Sequence, residues 1–295
     1  MKQVIQIRCK NNKKSQKVEI GSTLFDIFSA FDLKMTHGPV SARVNNKVEG
    51  MHYRVYNSKD VEFLDMTSSS GSRAYTRTLF FVLCKAVQDI YPATDVVIDI
   101  PVSNGFYVDI RLGRPVVDED VNIIRRRMQE IIDARMPIRR FTVPTEEAVA
   151  LFQEKGDVEK VKLLKTSGSI YTTYYKIGDY VDYYYGTLLT NTSQLYLFGL
   201  EKYYDGMLLR IPSLKNPDVL GEMTRQDKDV VRHRVGVAKH HSHLLCLTVT
   251  LYSELEMHLA VAVSQVRDVH EEGCVGTRKV ECSVKAKFAV DTRLI

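Results

Sequence analysis

Three groups of residues in this sequence have the types and spacing that chemistry requires: a histidine cluster, a set of arginines and a run of tyrosines. His240-His-Ser-His243, with Cys246 three residues on, invites a transition-metal reading. Two adjacent imidazoles diverge on any regular backbone, and only Cys246 adds a donor at ligand spacing, so the cluster reads as adventitious rather than built. His37 and His52 stand singly, and no Ser-His-Asp or Cys-His constellation can be assembled around them. The five cysteines (Cys9, Cys84, Cys246, Cys274, Cys282) are odd in number and form no Cys-x-x-Cys pair, which predicts reduced thiols rather than a disulfide framework or a zinc ribbon. Phosphate cradling by a P-loop needs Gly-x-x-x-x-Gly-Lys-Ser/Thr. Gly273-Cys-Val-Gly-Thr-Arg-Lys279 is the nearest string and has neither that spacing nor that ending.

Arg125, Arg126 and Arg127, with Arg135, Arg139 and Arg140, form the densest basic group. Guanidinium groups offer a bidentate fork to phosphate, so Arg125, Arg126, Arg139 and Arg140 are candidate contacts for a nucleic-acid backbone. The competing reading is a solvated helix face paired with Glu119, Glu130 and Asp133. No aromatic residue is interleaved there to stack an unpaired base. The tyrosines (Tyr171, Tyr174, Tyr175, Tyr180, Tyr183, Tyr184, Tyr185) either cover a half-buried sheet or form a contact surface for another subunit or domain.

The elements that must position these residues follow from pattern. A chain of 295 residues, 44% apolar and 26% charged, has room for two domains with their own cores. No run approaches the roughly 18 apolar residues of a membrane span. Met1 to Arg8 alternates as a strand does, not as a signal peptide does, and the expectation is a cytoplasmic protein without membrane contact. A net charge of +5 permits a polyanionic partner without demanding one. Residues 1–66 read as strand, strand, helix, strand, strand, with Thr23 and Asp26 as a capping pair for a helix carrying Leu24, Ile27, Phe28 and Phe31. Residues 67–72 are a Ser/Gly linker by composition. In residues 73–217, helices are predicted over Tyr75–Ile90, Asp118–Asp133 and from Pro144 through Phe152. Strands are predicted near Asp95–Ile100, Phe106–Ile110, Ile170–Tyr185 and Leu195–Ile211. Residues 218–295 differ: from Asp229 on they hold six of eight histidines but one of sixteen tyrosines. This tail is expected to be the product of a shifted frame or a truncated gene.

Val102-Ser-Asn-Gly-Phe-Tyr-Val-Asp109, the Asp118-Glu-Asp-Val121 entry to the arginine helix, and Val181-Asp182 with Gly186 carry a resemblance. The first unit resembles the TGS domain of threonyl-tRNA synthetases and some stringent-response enzymes. The second resembles the editing-type second additional domain of threonyl- and alanyl-tRNA synthetases. The fold class implied is α+β: a ubiquitin-like β-grasp followed by an editing-like α+β domain. In that family a metal is held by His-x-x-x-His and Cys-x-x-x-His, and those four places fall here on Arg77, Phe81, Tyr184 and Leu188, none of them a zinc ligand. The resemblance further implies a ligand pocket with Asn104, Phe106 and Tyr107 as its floor and Lys160 and Asp182 facing it. On the residues alone, the favoured reading is that Lys160 and Asp182 are an ordinary ion pair and the aromatics are core.

The same pair of domains precedes the catalytic half of bacterial uridine-kinase-like nucleoside kinases. That similarity implies a non-catalytic regulatory or ligand-recognition region cut before the P-loop, with ATP and Mg as cofactors only of the parent kinase and none in this chain. An attached or associated kinase, or tRNA or a nucleotide, is the partner implied. The alternatives are a free-standing tRNA- or RNA-binding module and an aminoacyl-tRNA editing hydrolase with a relocated metal.

Overall fold

The computed structural model describes residues 3–92, 94–102 and 104–222. His240, His241, His243, Cys246, Cys274 and Cys282 therefore lie outside the described residues, as does the expectation for the tail.

The amino-terminal region builds one five-stranded sheet. Strands β1 (Val4–Cys9) and β2 (Ser15–Glu19) form an antiparallel hairpin, and helix α1 (Leu24–Ala30) follows. β3 (Ser41–Val44), β4 (Lys47–Glu49) and β5 (Lys59–Leu64) complete the sheet in the order β2-β1-β5-β3-β4, with β1 and β5 parallel at its centre. The expected cap is present: Asp26 N–H donates to Thr23 Oγ1 at 3.2 Å, and Thr23 N–H donates to Asp26 Oδ2 at 2.8 Å. Leu24, Ile27 and Phe31 pack from the helix onto Ile7, Val44, Val61 and Phe63, an apolar stripe closing over one sheet face.

Helix α2 runs from Ser69 to Ile90, so residues 69–72 are helical rather than linker. The signal was Ser68, whose hydroxyl accepts from the Gly71 N–H at 3.0 Å as an N-cap. Gly71 must be glycine because a Cβ would overlap the Asp65 carbonyl. β6 (Val96–Val102) and β7 (Gly105–Ile110) pair next, and α3 spans Asp118–Asp133 as its pattern requires. Val121, Ile124, Met128, Ile131 and Ile132 are its buried face. Asp120, in the first turn, is buried as well, because the Arg114 guanidinium grips it at 2.6 and 2.8 Å and the Val117 N–H and Tyr91 hydroxyl donate to it.

β8 (Arg139–Pro144) and α4 (Thr145–Glu154) come next, then α5 (Val158–Thr166), β9 (Tyr171–Ile177) and β10 (Tyr180–Tyr183). The order β10-β9-β8 makes a three-stranded antiparallel sheet. β11 (Gly199–Tyr203) and β12 (Gly206–Arg210) join the earlier hairpin in a four-stranded sheet, β11-β12-β7-β6. The architecture mixes helices with several sheets and is compatible with the α+β class. One large core unites α2, α3 and both of these sheets through residues such as Phe81, Ile124, Ile177 and Leu209. No helix among the described residues is long and apolar enough to cross a membrane.

Candidate functional site

Of the four places that the resemblance assigns to metal ligands, Arg77, Phe81 and Tyr184 come together, while Leu188 turns to a different cavity. Arg77 and Phe81 sit one turn apart on α2, hence on one face. The Phe81 and Tyr184 rings meet edge to face with centroids 5.6 Å apart. Arg77 and Tyr184 line a cleft of about 570 Å³, whereas Phe81 is fully buried and Leu188 is only 2% exposed. Leu188 faces a second cavity of about 580 Å³ beside Ile138, Arg139 and Phe141. None of the four side chains fits a zinc ion. Among the described residues no three His, Cys, Asp or Glu side chains converge to hold a metal.

Cations dominate this first cleft. Lys47, Arg73, Arg77 and Arg140 line it, and Glu49 is the only carboxylate among the lining residues. Glu49, nearly buried at its side chain, is held by Lys47 at 2.9 Å and Arg140 at 3.1 Å. Among the described residues Arg73 donates only to the Ser69 hydroxyl, at 3.3 Å. Arg77 has neither an ion pair nor a side-chain hydrogen bond among the described residues. Burial, and then the neighbouring Arg73 charge, pulls its guanidinium below the usual arginine range, with Tyr175 and Tyr185 nearby opposing that shift. Gly186 makes room for it: a Cβ there would stand 2.7 Å from Arg77 Nη1, and the backbone is left-handed at φ +107°. The rest of the wall is hydroxyl-rich, with Ser167, Ser169, Thr172 and Thr173. Tyr171 and Tyr185 stand at the same cleft with 65% and 86% of their surface exposed.

Asn104, Phe106 and Tyr107, expected as a pocket floor, do not line this cleft. β7 is an interior strand of its sheet, and its alternation sends Tyr107 towards Tyr203 and Leu208 while Phe106 packs on Phe80 at 4.9 Å. Asn104 is a turn residue at φ +57°, donating to the Glu222 carbonyl at 3.1 Å. Lys160 and Asp182 do not line the cleft either. They form an ion pair at 2.7 Å, and Lys160 also reaches Asp157 at 2.7 Å. Asp182 accepts from the Tyr180 hydroxyl and the Tyr183 N–H, which uses both of its oxygens. Burial acts to lower the Lys160 pKa, but the Asp182 and Asp157 carboxylates outweigh it and hold the ammonium above its ordinary value.

Cys84 lies beside the same group, next to Tyr180 and Tyr184. Desolvation of its thiol, with the Asp182 charge, pushes its pKa up to about 12, although part of the residue reaches solvent. A thiol so protonated is no nucleophile near neutral pH. The two single histidines are elsewhere: His37 stacks on Tyr196 at 3.8 Å and bonds Asp218 at 2.7 Å, and His52 lines the second cavity.

The arginine group separates. Arg127 pairs with Asp89 and Glu130, while Asp133 accepts from Gln129 rather than from an arginine. Arg125 donates only to Asn122, and Arg125, Arg126, Arg135 and Arg139 form no ion pair among the described residues. Arg139 and Arg140 line the cavities beside β8, and Arg125 and Arg126 line neither. The sequence reading missed Arg73 and Lys47. Arg73 carried a detectable signal, since it stands four residues before Arg77 on the same helix; Lys47 comes from the other sheet and carried none.

No protein-family model matches the chain. Its curated relatives include the threonine–tRNA ligase of Acetivibrio thermocellus, 29% identical over 181 residues, which are 61% of this chain and 28% of that enzyme. Those of Clostridium kluyveri and Syntrophotalea carbinolica are each 30% identical over 65% of this chain, which covers 30% and 32% of their lengths. The chain carries a region related to threonyl-tRNA synthetases. It spans less than a third of the length of these relatives.

Proposed function

We propose that this chain is a non-catalytic recognition module, related to the head of threonyl-tRNA synthetases, that holds RNA without breaking a bond in it. The observation that carries the reading is the replacement of four metal-ligand places by Arg77, Phe81, Tyr184 and Leu188, with no alternative donor set among the described residues. In this reading residues 1–66 are a TGS-like β-grasp domain, as the helix-over-sheet topology of β1 to β5 supports. Residues 73–217 are an editing-type domain whose pocket recognises and does not react. The relatives are named for tRNA, and Arg125, Arg126 and Arg139 are cations with no carboxylate to answer them among the described residues, which suits a phosphate backbone.

The test is binding of tRNA to the full chain across a salt series. The logarithm of affinity should fall linearly with the logarithm of salt, and Arg125→Ala with Arg126→Ala should reduce that slope by about 2. Absence of salt-dependent binding would remove the RNA reading.

Loss of the same four ligands also favours a second reading, a regulatory head for a nucleoside kinase. The coding DNA beyond codon 228 decides it: a neighbouring frame encoding Gly-x-x-x-x-Gly-Lys-Ser/Thr supports the kinase, and a continuous frame shared by close relatives removes it.

A further inference from the structure

We propose that the cleft around Arg77 binds a nucleoside monophosphate, with the phosphate on Arg77 and Arg73 and the base on Tyr185. The inference rests on the reading above only in taking the cleft as a place of recognition; it requires nothing of Arg125 or Arg126.

Charge bookkeeping sets the ligand class. Lys47 and Arg140 are committed to Glu49, which leaves Arg73 and Arg77 as two guanidinium charges in one cleft without a counter-ion among the described residues. Arg77, only partly exposed, is costly to keep charged unless an anion completes it, and Arg73, exposed beside it, adds a second positive charge. A terminal phosphate carries close to two negative charges near neutral pH, whereas an internal phosphodiester carries one. Two unanswered guanidinium groups therefore match a phosphomonoester. The hydroxyls of Ser167, Ser169, Thr172 and Thr173 add neutral donors along the wall, as a sugar and phosphate require.

The aromatic half of the site is equally specific. Tyr185 is 86% exposed and lines the same cleft as Arg77. An exposed ring beside a phosphate-sized cation site is the arrangement on which unpaired bases stack. At about 570 Å³ the cleft falls within the range of small-molecule sites.

Calorimetric titration of the full chain with a purine and a pyrimidine nucleoside 5′-monophosphate tests this directly. Both should bind, and the parent nucleosides should bind at least tenfold more weakly. Arg77→Ala should weaken binding at least tenfold, with Arg77→Lys recovering part of it. Tyr185→Ala should weaken nucleotide binding about fivefold or more while leaving binding of inorganic phosphate unchanged. Affinity should fall as pH drops below about 6, where the phosphate loses its second charge. Equal binding by Arg77→Ala that keeps its melting temperature would overturn the proposal, as would nucleosides binding as tightly as nucleotides. An unphosphorylated trinucleotide that outcompetes the mononucleotide would overturn the ligand class. A failure of tRNA binding that leaves nucleotide binding intact would sink only the RNA reading.

Discussion

Two charged groups, one on β10 and one beside the segment that follows it, are built on opposite principles. In the interior, Lys160 is answered twice, by Asp157 and Asp182, and Asp182 is itself fully hydrogen-bonded. In the cleft, Arg77 is answered by no carboxylate among the described residues and is crowded by the like charge of Arg73. A completed network holds the fold together, while an incomplete one holds a place for something else. Both groups descend from a part of the sequence with one resemblance, yet only geometry tells which of them is free to recognise a ligand.

Breaking the interior group should cost the most. Asp182→Asn leaves the Lys160 ammonium with Asp157 alone in a desolvated place, at about 3 kcal/mol of stability. That corresponds to a melting temperature lower by roughly 6–12 °C. The raised Lys160 pKa adds a pH signature with a definite sign. Its stabilising contribution is complete below the unfolded value near pH 10 and is lost as pH rises through the higher folded value. Thermal melts of the wild type should show that alkaline loss, and the variant should show it diminished.

Asp120 gives the next effect. The Arg114 guanidinium, aided by the Val117 N–H and the Tyr91 hydroxyl, holds its carboxyl far below the usual range despite burial. A depressed folded pKa means stability present above about pH 4 and lost as pH falls further. Asp120→Asn should cost about 2 kcal/mol at neutral pH and flatten the acid arm of a denaturant-derived stability profile. Gly186→Ala should cost about 1 kcal/mol for its left-handed backbone and, by pushing on the guanidinium, weaken ligand binding in the cleft. Arg77→Ala should change stability least, by no more than about 0.5 kcal/mol, because no protein group loses a partner. A large destabilisation there would erase the contrast between the two groups.

Much of the fold was legible in local pattern. The α3 helix followed its apolar stripe to both ends, and Thr23 with Asp26 declared the start of α1. The start of α2 was hidden because Ser68 and Gly71 use linker chemistry to cap a helix. β4 is three residues long, too short for alternation to register. β8 is an arginine-rich edge strand ending in Pro144, and α5 carries too many charges to display a clean stripe. For the site, α-helical spacing put Arg77 and Phe81 on one face. The approach of Lys47 and Glu49 from the first sheet left no trace in sequence spacing, because contacts that distant in the chain are not periodic. Nor could the exposure of Tyr185 be separated from that of its buried neighbour Tyr175, which bonds the Gly186 carbonyl.

The most direct trial of recognition without reaction is to incubate the full chain, with and without added zinc, with mischarged threonine tRNA and follow both retained RNA and the ester bond. The account predicts that RNA is retained and the ester decays no faster than in buffer; zinc-dependent release of the amino acid would contradict it.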